Sequence, residues 1–190
     1  MILLAAVALA LIVVPVTGGR LSALASLPIR GAWLVYASLG IQLLITTGPF
    51  TVSDLVGRVL HLLSYALSAL FVVANRSLPG VWIVALGGAL NLAAIVANHG
   101  TMPASAWAWR KAGFGDVSHA FANSAVVASP RLSWLGDIFA VPKRFPLANV
   151  FSIGDVVIGV GAAYLITRWC RRGVHHDRAG SAPDRPPPAR

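Results

Sequence analysis

Seven side chains with ionisable or hydrogen-bonding groups stand out in this sequence because their surroundings are almost entirely apolar. Polar groups placed in lipid or in a protein core are costly unless they are paired or functional. Asp155 could form a structural ion pair with Arg58 or His61, or Asp155 and His61 could act as acid/base groups or ligands. The candidate site residues are Arg58, His61, Asn91, Asn98, Asp137, Ser152 and Asp155.

The spacings that identify common catalytic or cofactor sites do not occur in the sequence. It has no HExxH or CxxC motif for a metal, no serine nucleophile elbow, no glycine-rich phosphate loop and no dinucleotide-binding fingerprint. We therefore predict no metal and no cofactor, and the residues alone do not establish an enzyme.

The composition indicates an integral membrane protein. The sequence is 57% hydrophobic and 11% charged, whereas about 25% of the residues are charged in an average soluble domain. The net charge of +9 does not indicate a nucleic-acid partner, because most basic residues lie at the ends of apolar runs or in the tail. The predicted partner is the lipid bilayer, and the oligomeric state is left open.

Five apolar runs predict an all-α, polytopic transmembrane helix bundle within residues 1–170. The first run is short, and a signal peptide is the alternative. No basic residue precedes this run and Arg20 follows it, so we predict a retained helix. The predicted spans are residues 2–17, 32–48, 56–74, 81–98 and 150–168.

The distribution of arginines predicts the orientation of the bundle. Short connections rich in arginine mark the cytoplasmic side, which places the amino terminus outside and the carboxyl terminus in the cytoplasm. The long loop 99–149 is then extracytoplasmic, although it carries five basic residues. In this orientation, the polar ends of the third, fourth and fifth spans meet at the outer face. The cytoplasmic arginines are Arg20, Arg30, Arg76, Arg168, Arg171 and Arg172.

Turn-forming residues predict short elements in the long loop. Pro103 and Gly113 suit the two ends of a helix over Pro103–Ala112, and Asp116 suits the start of a second helix to about Val127. The apolar stretch Leu132–Val141 is too short to span and predicts an interfacial or re-entrant segment. The basic, proline-rich tail 171–190 is predicted to be disordered.

Three ordered motifs resemble a known family. They are Asn98-His99-Gly100-Thr101-Met102-Pro103, Leu132-Ser133-Trp134-Leu135-Gly136-Asp137 and Phe151-Ser152-Ile153-Gly154-Asp155, and Gly18-Gly19-Arg20-Leu21 fits as well. The set is similar to the bacterial membrane family called domain of unknown function 5317, over nearly the whole chain except the tail. His99 departs from the Asn-Gly-Gly that is usual in the family. The resemblance implies a bacterial cytoplasmic-membrane location and no assigned activity.

Two classes of function are compatible with these residues. The first is a membrane protein with a polar site at the outer face that binds a ligand, a lipid headgroup or a partner protein. The second is an integral-membrane enzyme that acts on a lipid-linked substrate, with Asp155 or Asp137 as acid/base and His61 as partner. A transporter fits less well, because five spans without an inverted repeat depart from the usual two-fold plan.

Overall fold

A computed structural model describes residues 2–47, 53–115, 124–146 and 148–180 of the chain. The protein is mostly helical, which confirms the predicted helical class. Two 3-10 turns, over Leu21–Ser26 and Ser133–Leu135, supplement the α-helices. The α-helices are α1 (Ile2–Val16), α2 (Ala32–Thr47), α3 (Asp54–Ala74), α4 (Val81–Ala97), α5 (Ala106–Ala112) and α6 (Ile153–Gly180).

Four short strands in the long loop modify the all-α prediction. Strands β1 (Met102–Pro103) and β2 (Ser124–Ala125) pair in parallel, and β3 (Phe139–Val141) and β4 (Asn149–Phe151) pair antiparallel. Backbone N–H and C=O groups away from water need partners, and these pairs supply them in a loop that is folded against the helices.

The loop helices differ from their prediction at several boundaries. Helix α5 begins at Ala106 and not at Pro103, because Pro103 pairs in β1 and the Ser105 side chain accepts a hydrogen bond from the Ala108 N–H. Gly113 has a φ of 84° and ends α5 at the predicted residue. Residues 116–123 of the predicted second helix lie outside the described residues, and its end is wrong because Ser124–Ala125 is a strand.

The rest of the loop and the last helix also differ from the predicted pattern. The stretch Leu132–Val141 is divided between the 3-10 turn Ser133–Leu135 and strand β3. Helix α6 starts at Ile153, after β4, and continues to Gly180, since extending a formed helix costs far less than starting one.

Two helical segments are long and apolar enough to cross a bilayer. They are Leu55–Ala74 in α3 and Ile153–Arg171 in α6. Leu3–Val16, Ala32–Ile45 and Val81–Ala97 are also apolar but shorter, and a span usually needs about 20 residues. By length and composition, the described residues therefore support two candidate spans and not the predicted five.

Helices α4 and α6 approach each other closely through paired glycines. A Cβ atom on Gly87 would lie 2.5 Å from the carbonyl oxygen of Gly154, and one on Gly80 would lie 2.5 Å from that of Gly161. Gly80 and Gly87 are seven residues apart, and so are Gly154 and Gly161. Seven residues make about two helical turns, so the two glycines of each segment lie on the same face. Small residues permit this close approach of two backbones.

Each remaining apolar helix packs against one of the two long helices. Helix α1 packs on α6, and α2 packs on α3. Between α2 and α3, the Ser38 hydroxyl donates to the Ser64 carbonyl at 2.8 Å, and the Gln42 amide donates to the Ser64 hydroxyl at 2.6 Å. These polar side chains thus join helices.

A hydrogen-bonded amide fixes the end of the bundle away from the long loop. Asn75, which follows α3, accepts from the Arg30 N–H and donates to the Arg30 carbonyl, both at 2.8 Å. The start of α2 and the end of α3 are therefore held together.

Candidate functional site

Three of the predicted site residues form one hydrogen-bonded group, which we call the polar cluster: Asn91, Ser152 and Asp155. The Asn91 amide nitrogen donates to Asp155 Oδ1 at 2.8 Å, and the Ser152 hydroxyl donates to Asn91 Oδ1 at 2.7 Å. Ser152 is fully buried, and Asn91 is buried in the middle of α4. The cluster therefore links α4 to the beginning of α6.

Local sequence explains why Ser152 and Asp155 meet. The Asp155 N–H donates to the Ser152 hydroxyl, and the Ser152 N–H donates to Asp155 Oδ2, both at 3.0 Å. This reciprocal pair is a capping box with aspartate in the third helical position. The positive end of the helix dipole favours a carboxylate in this first turn.

Glycine at position 154 is required by the same contact. A Cβ there would collide with the Asn91 side-chain oxygen and would lie 2.6 Å from the Gly87 carbonyl oxygen. The Gly-Asp pair of α6 thus combines a close helix contact with a buried polar side chain.

His61 and Tyr65 bring helix α3 to the polar cluster. His61 is buried, and its ring stacks on that of Tyr65 with 5.5 Å between the centroids. Tyr65 in turn interacts with the Asn91 side chain and with the carboxyls of Asp155 and Asp137. Sequence reasoning missed Tyr65, although its position four residues after His61 places both on one helix face.

Asp137 approaches the polar cluster from the loop. It is 6% exposed, and its carboxyl accepts a hydrogen bond from the Ser124 hydroxyl. Burial, and to a smaller extent the like charge of Asp155, raise the pKa of Asp137 to about 6, against the lowering effect of Ser124. The Gly136-Asp137 and Gly154-Asp155 pairs therefore place their carboxyls within electrostatic range of each other.

The backbone around Asp137 is held by the strand region. The Asp137 N–H donates to the Pro103 carbonyl at 2.8 Å, and the Ser105 N–H donates to the Asp137 carbonyl at 3.0 Å. A Cβ at Gly136 would collide with the Pro103 carbonyl oxygen. Ser124 was also missed by sequence reasoning, since its contact depends on a strand pair two residues long.

Asn98 fixes the loop and is not part of the polar cluster. Its amide donates to the Ala94 and Arg131 carbonyls at 2.7 Å and accepts from the Arg131 N–H at 2.9 Å. This arrangement repeats that of Asn75 at the other end of the bundle. Asn75 was not predicted, because a single polar residue in a turn carries no sequence sign of its partner.

Arg58 lies apart from the carboxyls. Its side chain is exposed, and its methylene groups lie against Gly100. Within the described part of the chain, the Asp155 carboxylate accepts hydrogen bonds from the Asn91 amide and the Ser152 N–H. The pairing of Asp155 with His61 stays a prediction.

The site chemistry consists of two carboxyls, three amide or hydroxyl partners and two ring side chains. Among the residues that the structure describes, no group of three or more His, Cys, Asp or Glu side chains could hold a metal ion. Two carboxyls in different environments can differ in protonation. The arrangement can therefore hold a proton, or accept hydrogen bonds from a donor group.

Comparison with protein families gives one match. The sequence profile described as "Family of unknown function (DUF5317)" matches residues 26–167, which confirms the resemblance carried by the three motifs. Gly18-Gly19-Arg20-Leu21 and the first helix lie outside the matched range. Searches of curated proteins and of solved structures found no match.

Proposed function

The chain belongs to the DUF5317 family, and from that premise we propose that it is a five-span membrane protein with a ligand-binding polar site. The location is the bacterial cytoplasmic membrane, with the amino terminus outside. The site consists of the polar cluster together with Asp137, at the outer end of α3, α4 and α6. It binds a ligand, lipid headgroup or partner group that donates hydrogen bonds or carries positive charge.

Exposed apolar side chains support the membrane location. Ile12 in α1, Leu43 in α2 and Leu55 in α3 are 64%, 63% and 73% exposed. Isolated exposed leucines are common on soluble proteins, but entire apolar helix faces are not. Lipid contact removes the cost of exposing these faces to water.

The position of the tryptophans gives independent support. Trp33 and Trp82 are exposed at the starts of α2 and α4, whereas Trp107 and Trp134 are exposed in the long loop. Helix order places the first pair at one end of the bundle and the second pair at the other. Aromatic belts at two levels are typical of proteins that cross a bilayer.

Packing supports five spans although three helices are short. Helices α1 and α4 pack along α6, and α2 packs along α3. Each short apolar helix is therefore paired with a helix that is long enough to span. A bilayer can thin locally around short spans at a modest cost.

The observation that carries the binding site is the joint presence of Asp137 and Asp155 beneath the loop. Asp155 accepts hydrogen bonds from the Asn91 amide and the Ser152 N–H, which link α4 to the start of α6. Asp137 is buried, and among the described residues the side chain that donates to its carboxyl is the Ser124 hydroxyl. A buried carboxyl with few donors favours a bound proton or an additional donor group.

Asp137→Asn is the appropriate test, because the asparagine oxygen can still accept from Ser124. Asp155→Asn is less informative, since its amide would present a donor to Asn91 or Ser152. Wild type and Asp137→Asn would be purified in mild detergent, and retained small molecules and lipids would be identified by mass spectrometry. We expect a species that is retained by the wild type and lost from the variant, although the Tm of the variant is not lowered.

Ser133→Ala is the control, because Ser133 is exposed on the same loop segment and should retain the species. If wild type and Asp137→Asn carry the same molecules in the same amounts, the cluster only fixes helix packing and the site proposal fails.

An integral-membrane enzyme is the second candidate, favoured by the raised pKa of Asp137 beside a second carboxyl. Its substrate would be lipid-linked, with Asp137 as the acid. Reconstitution into vesicles of bacterial lipid extract would then yield a lipid of changed mass, and Asp137→Asn would abolish the change. Absence of any product with the wild type would exclude this candidate for the lipids of that extract.

A further inference from the structure

We propose that the long loop carries a binding surface for the headgroups of anionic phospholipids, formed by Arg110, Lys111, Lys143, Arg144 and Phe145. We call this surface the basic rim. It lies on α5 and on the turn between β3 and β4. The inference rests on the proposed membrane location, and it is separate from the carboxyl site.

The fold assembles the basic rim from two distant segments. The Lys143 N–H donates to the Lys111 carbonyl at 3.1 Å. The Lys143 methylene groups lie so close to Gly113 that a Cβ there would be 2.5 Å from Lys143 Cδ. Arg110 and Lys111 are therefore brought beside Lys143 and Arg144, although Lys111 and Lys143 are 32 positions apart in the sequence.

Packing behind the rim makes this arrangement rigid. Ala108 and Ala112 of α5 are buried against Val150 of β4, and Ala140 of β3 packs on the same group. One side of α5 thus faces the strand pair, which leaves its charged side chains at the exposed edge. Because the last turn of α5 carries Arg110 and Lys111, the negative end of the helix dipole also favours these cations.

The rim has an uncompensated positive charge in the described part of the loop. All four basic side chains are exposed, and Asp137, the acidic residue among the described loop residues, is buried. Four neighbouring cations attract anions, and each basic residue near a membrane surface strengthens the binding of anionic lipid about fivefold.

Aromatic neighbours identify the anion as a lipid headgroup. Arg144 lies over the Phe145 ring at 5.1 Å from its centroid, and Phe145 and Trp107 are exposed. Basic side chains beside exposed aromatic rings are typical of the headgroup layer, where the rings contact acyl chains and the cations contact phosphates. Strand β4 leads into α6 within two residues, which keeps the rim near the membrane boundary.

The test compares charge-removing and charge-preserving variants. Wild type, Lys111→Gln/Lys143→Gln and Lys111→Arg/Lys143→Arg would be purified in mild detergent with equal amounts of phosphatidylglycerol and phosphatidylcholine. Native mass spectrometry would give the ratio of the two bound lipids. Wild type and the arginine variant should prefer phosphatidylglycerol, and the glutamine variant should lose about tenfold or more of that preference.

Equal ratios in all three proteins would overturn the proposal. If the glutamine variant has a lowered Tm without lipid, Arg110→Gln/Arg144→Gln replaces it, because these two side chains lie at the exposed edge of the same rim. Carbonate extraction of cell membranes distinguishes the two proposals. Release of the wild type would refute the membrane location, whereas its retention together with equal lipid ratios would refute the basic rim alone.

Discussion

Asp137 is buried where ionisation is costly, and this has a consequence for stability. Its carboxyl accepts a hydrogen bond from Ser124 and lies within electrostatic range of Asp155 and Tyr65. The folded pKa of about 6 is above the unfolded value of 3.8. Between these values the folded protein holds more protons, so its free energy of unfolding falls as the pH rises through this window and then levels off. The ionised form costs on the order of 3 kcal/mol.

The first prediction follows from this fall in the free energy of unfolding with rising pH. Asp137→Asn removes the ionisation, so the variant should gain stability relative to the wild type between pH 4.5 and pH 7.5. Thermal unfolding in detergent at both pH values measures the difference in Tm between the two proteins. All other titrating groups are common to both, so they cancel in this comparison. A difference in Tm that does not change with pH would contradict the assigned burial.

The polar cluster provides a second prediction at the residue scale. Asp155→Asn places an amide group where Asn91 and the Ser152 N–H both donate, so one of these donors loses its acceptor. Leaving one buried donor unsatisfied costs about 1–3 kcal/mol. Tm should therefore fall. Ser133→Ala is the control and should leave Tm unchanged; an equally stable Asp155→Asn would show that the cluster can rearrange.

The predictability of the site from sequence differs from residue to residue. Asn91, Ser152 and Asp155 were predicted because a polar residue in an apolar helix needs a partner wherever the helix packs. Tyr65 and Ser124 were missed, since a tyrosine in an apolar run resembles core and a serine in a loop resembles a solvated residue. Their roles depend on contacts between segments far apart in the chain.

At the element scale, the close contact between α4 and α6 should be disrupted by a substitution at Gly87 but not by the same substitution at Gly88. Gly87→Ala places a Cβ 2.5 Å from the Gly154 carbonyl oxygen, whereas nothing lies within 4 Å of a Cβ at Gly88. Gly87→Ala should cost about 1–3 kcal/mol of stability by overpacking. Gly88→Ala should be neutral or stabilise by up to about 1 kcal/mol through helix propensity. Comparison of Tm for the two variants tests the contact, and equal values would rule it out.

The two asparagines that follow α3 and α4 permit a matched experiment. Asn98→Ala removes three hydrogen bonds, two of them to Arg131, and should cost about 2–3 kcal/mol. Hydrogen exchange should become faster over residues 131–137. Asn75→Ala removes equivalent bonds to Arg30 and should leave exchange over 131–137 unchanged. Similar exchange in wild type and Asn98→Ala would show that the loop is held by other contacts.

Element prediction succeeded where local composition determines structure. Apolar runs predicted α1 to α4 and α6, and a terminal glycine predicted the end of α5. The strands were not predictable, because Met102–Pro103 and Ser124–Ala125 are two residues each and are stabilised only by pairing across the loop. The start of α6 was placed early for the same reason: Val150 is apolar, but it belongs to β4.

At the scale of the whole molecule, the contact of Asn75 with Arg30 determines which connections lie at the same end of the bundle. It does not determine which end faces the cytoplasm. In the proposed five-span arrangement, this contact requires the connection before α2 and the turn after α3 to lie on one side of the membrane, whichever side that is. If α4 crosses as proposed, Gly113 in the long loop lies on the other side. The arginine distribution predicts that the first side is the cytoplasm.

Reporter fusions after Arg30, Asn75 and Gly113 test these two statements together. We expect activity of a cytoplasmic reporter at the first two positions and of an exported reporter at Gly113. Opposite sides for Arg30 and Asn75 would contradict the packing of α2 on α3, and with it the five-span proposal. If the reporters show an exported position for Arg30 and Asn75 and a cytoplasmic position for Gly113, the bundle is preserved and only its orientation is reversed. The carboxyl site and the basic rim would then face the cytoplasm. The same fusions therefore determine which leaflet supplies the lipids that contact the rim.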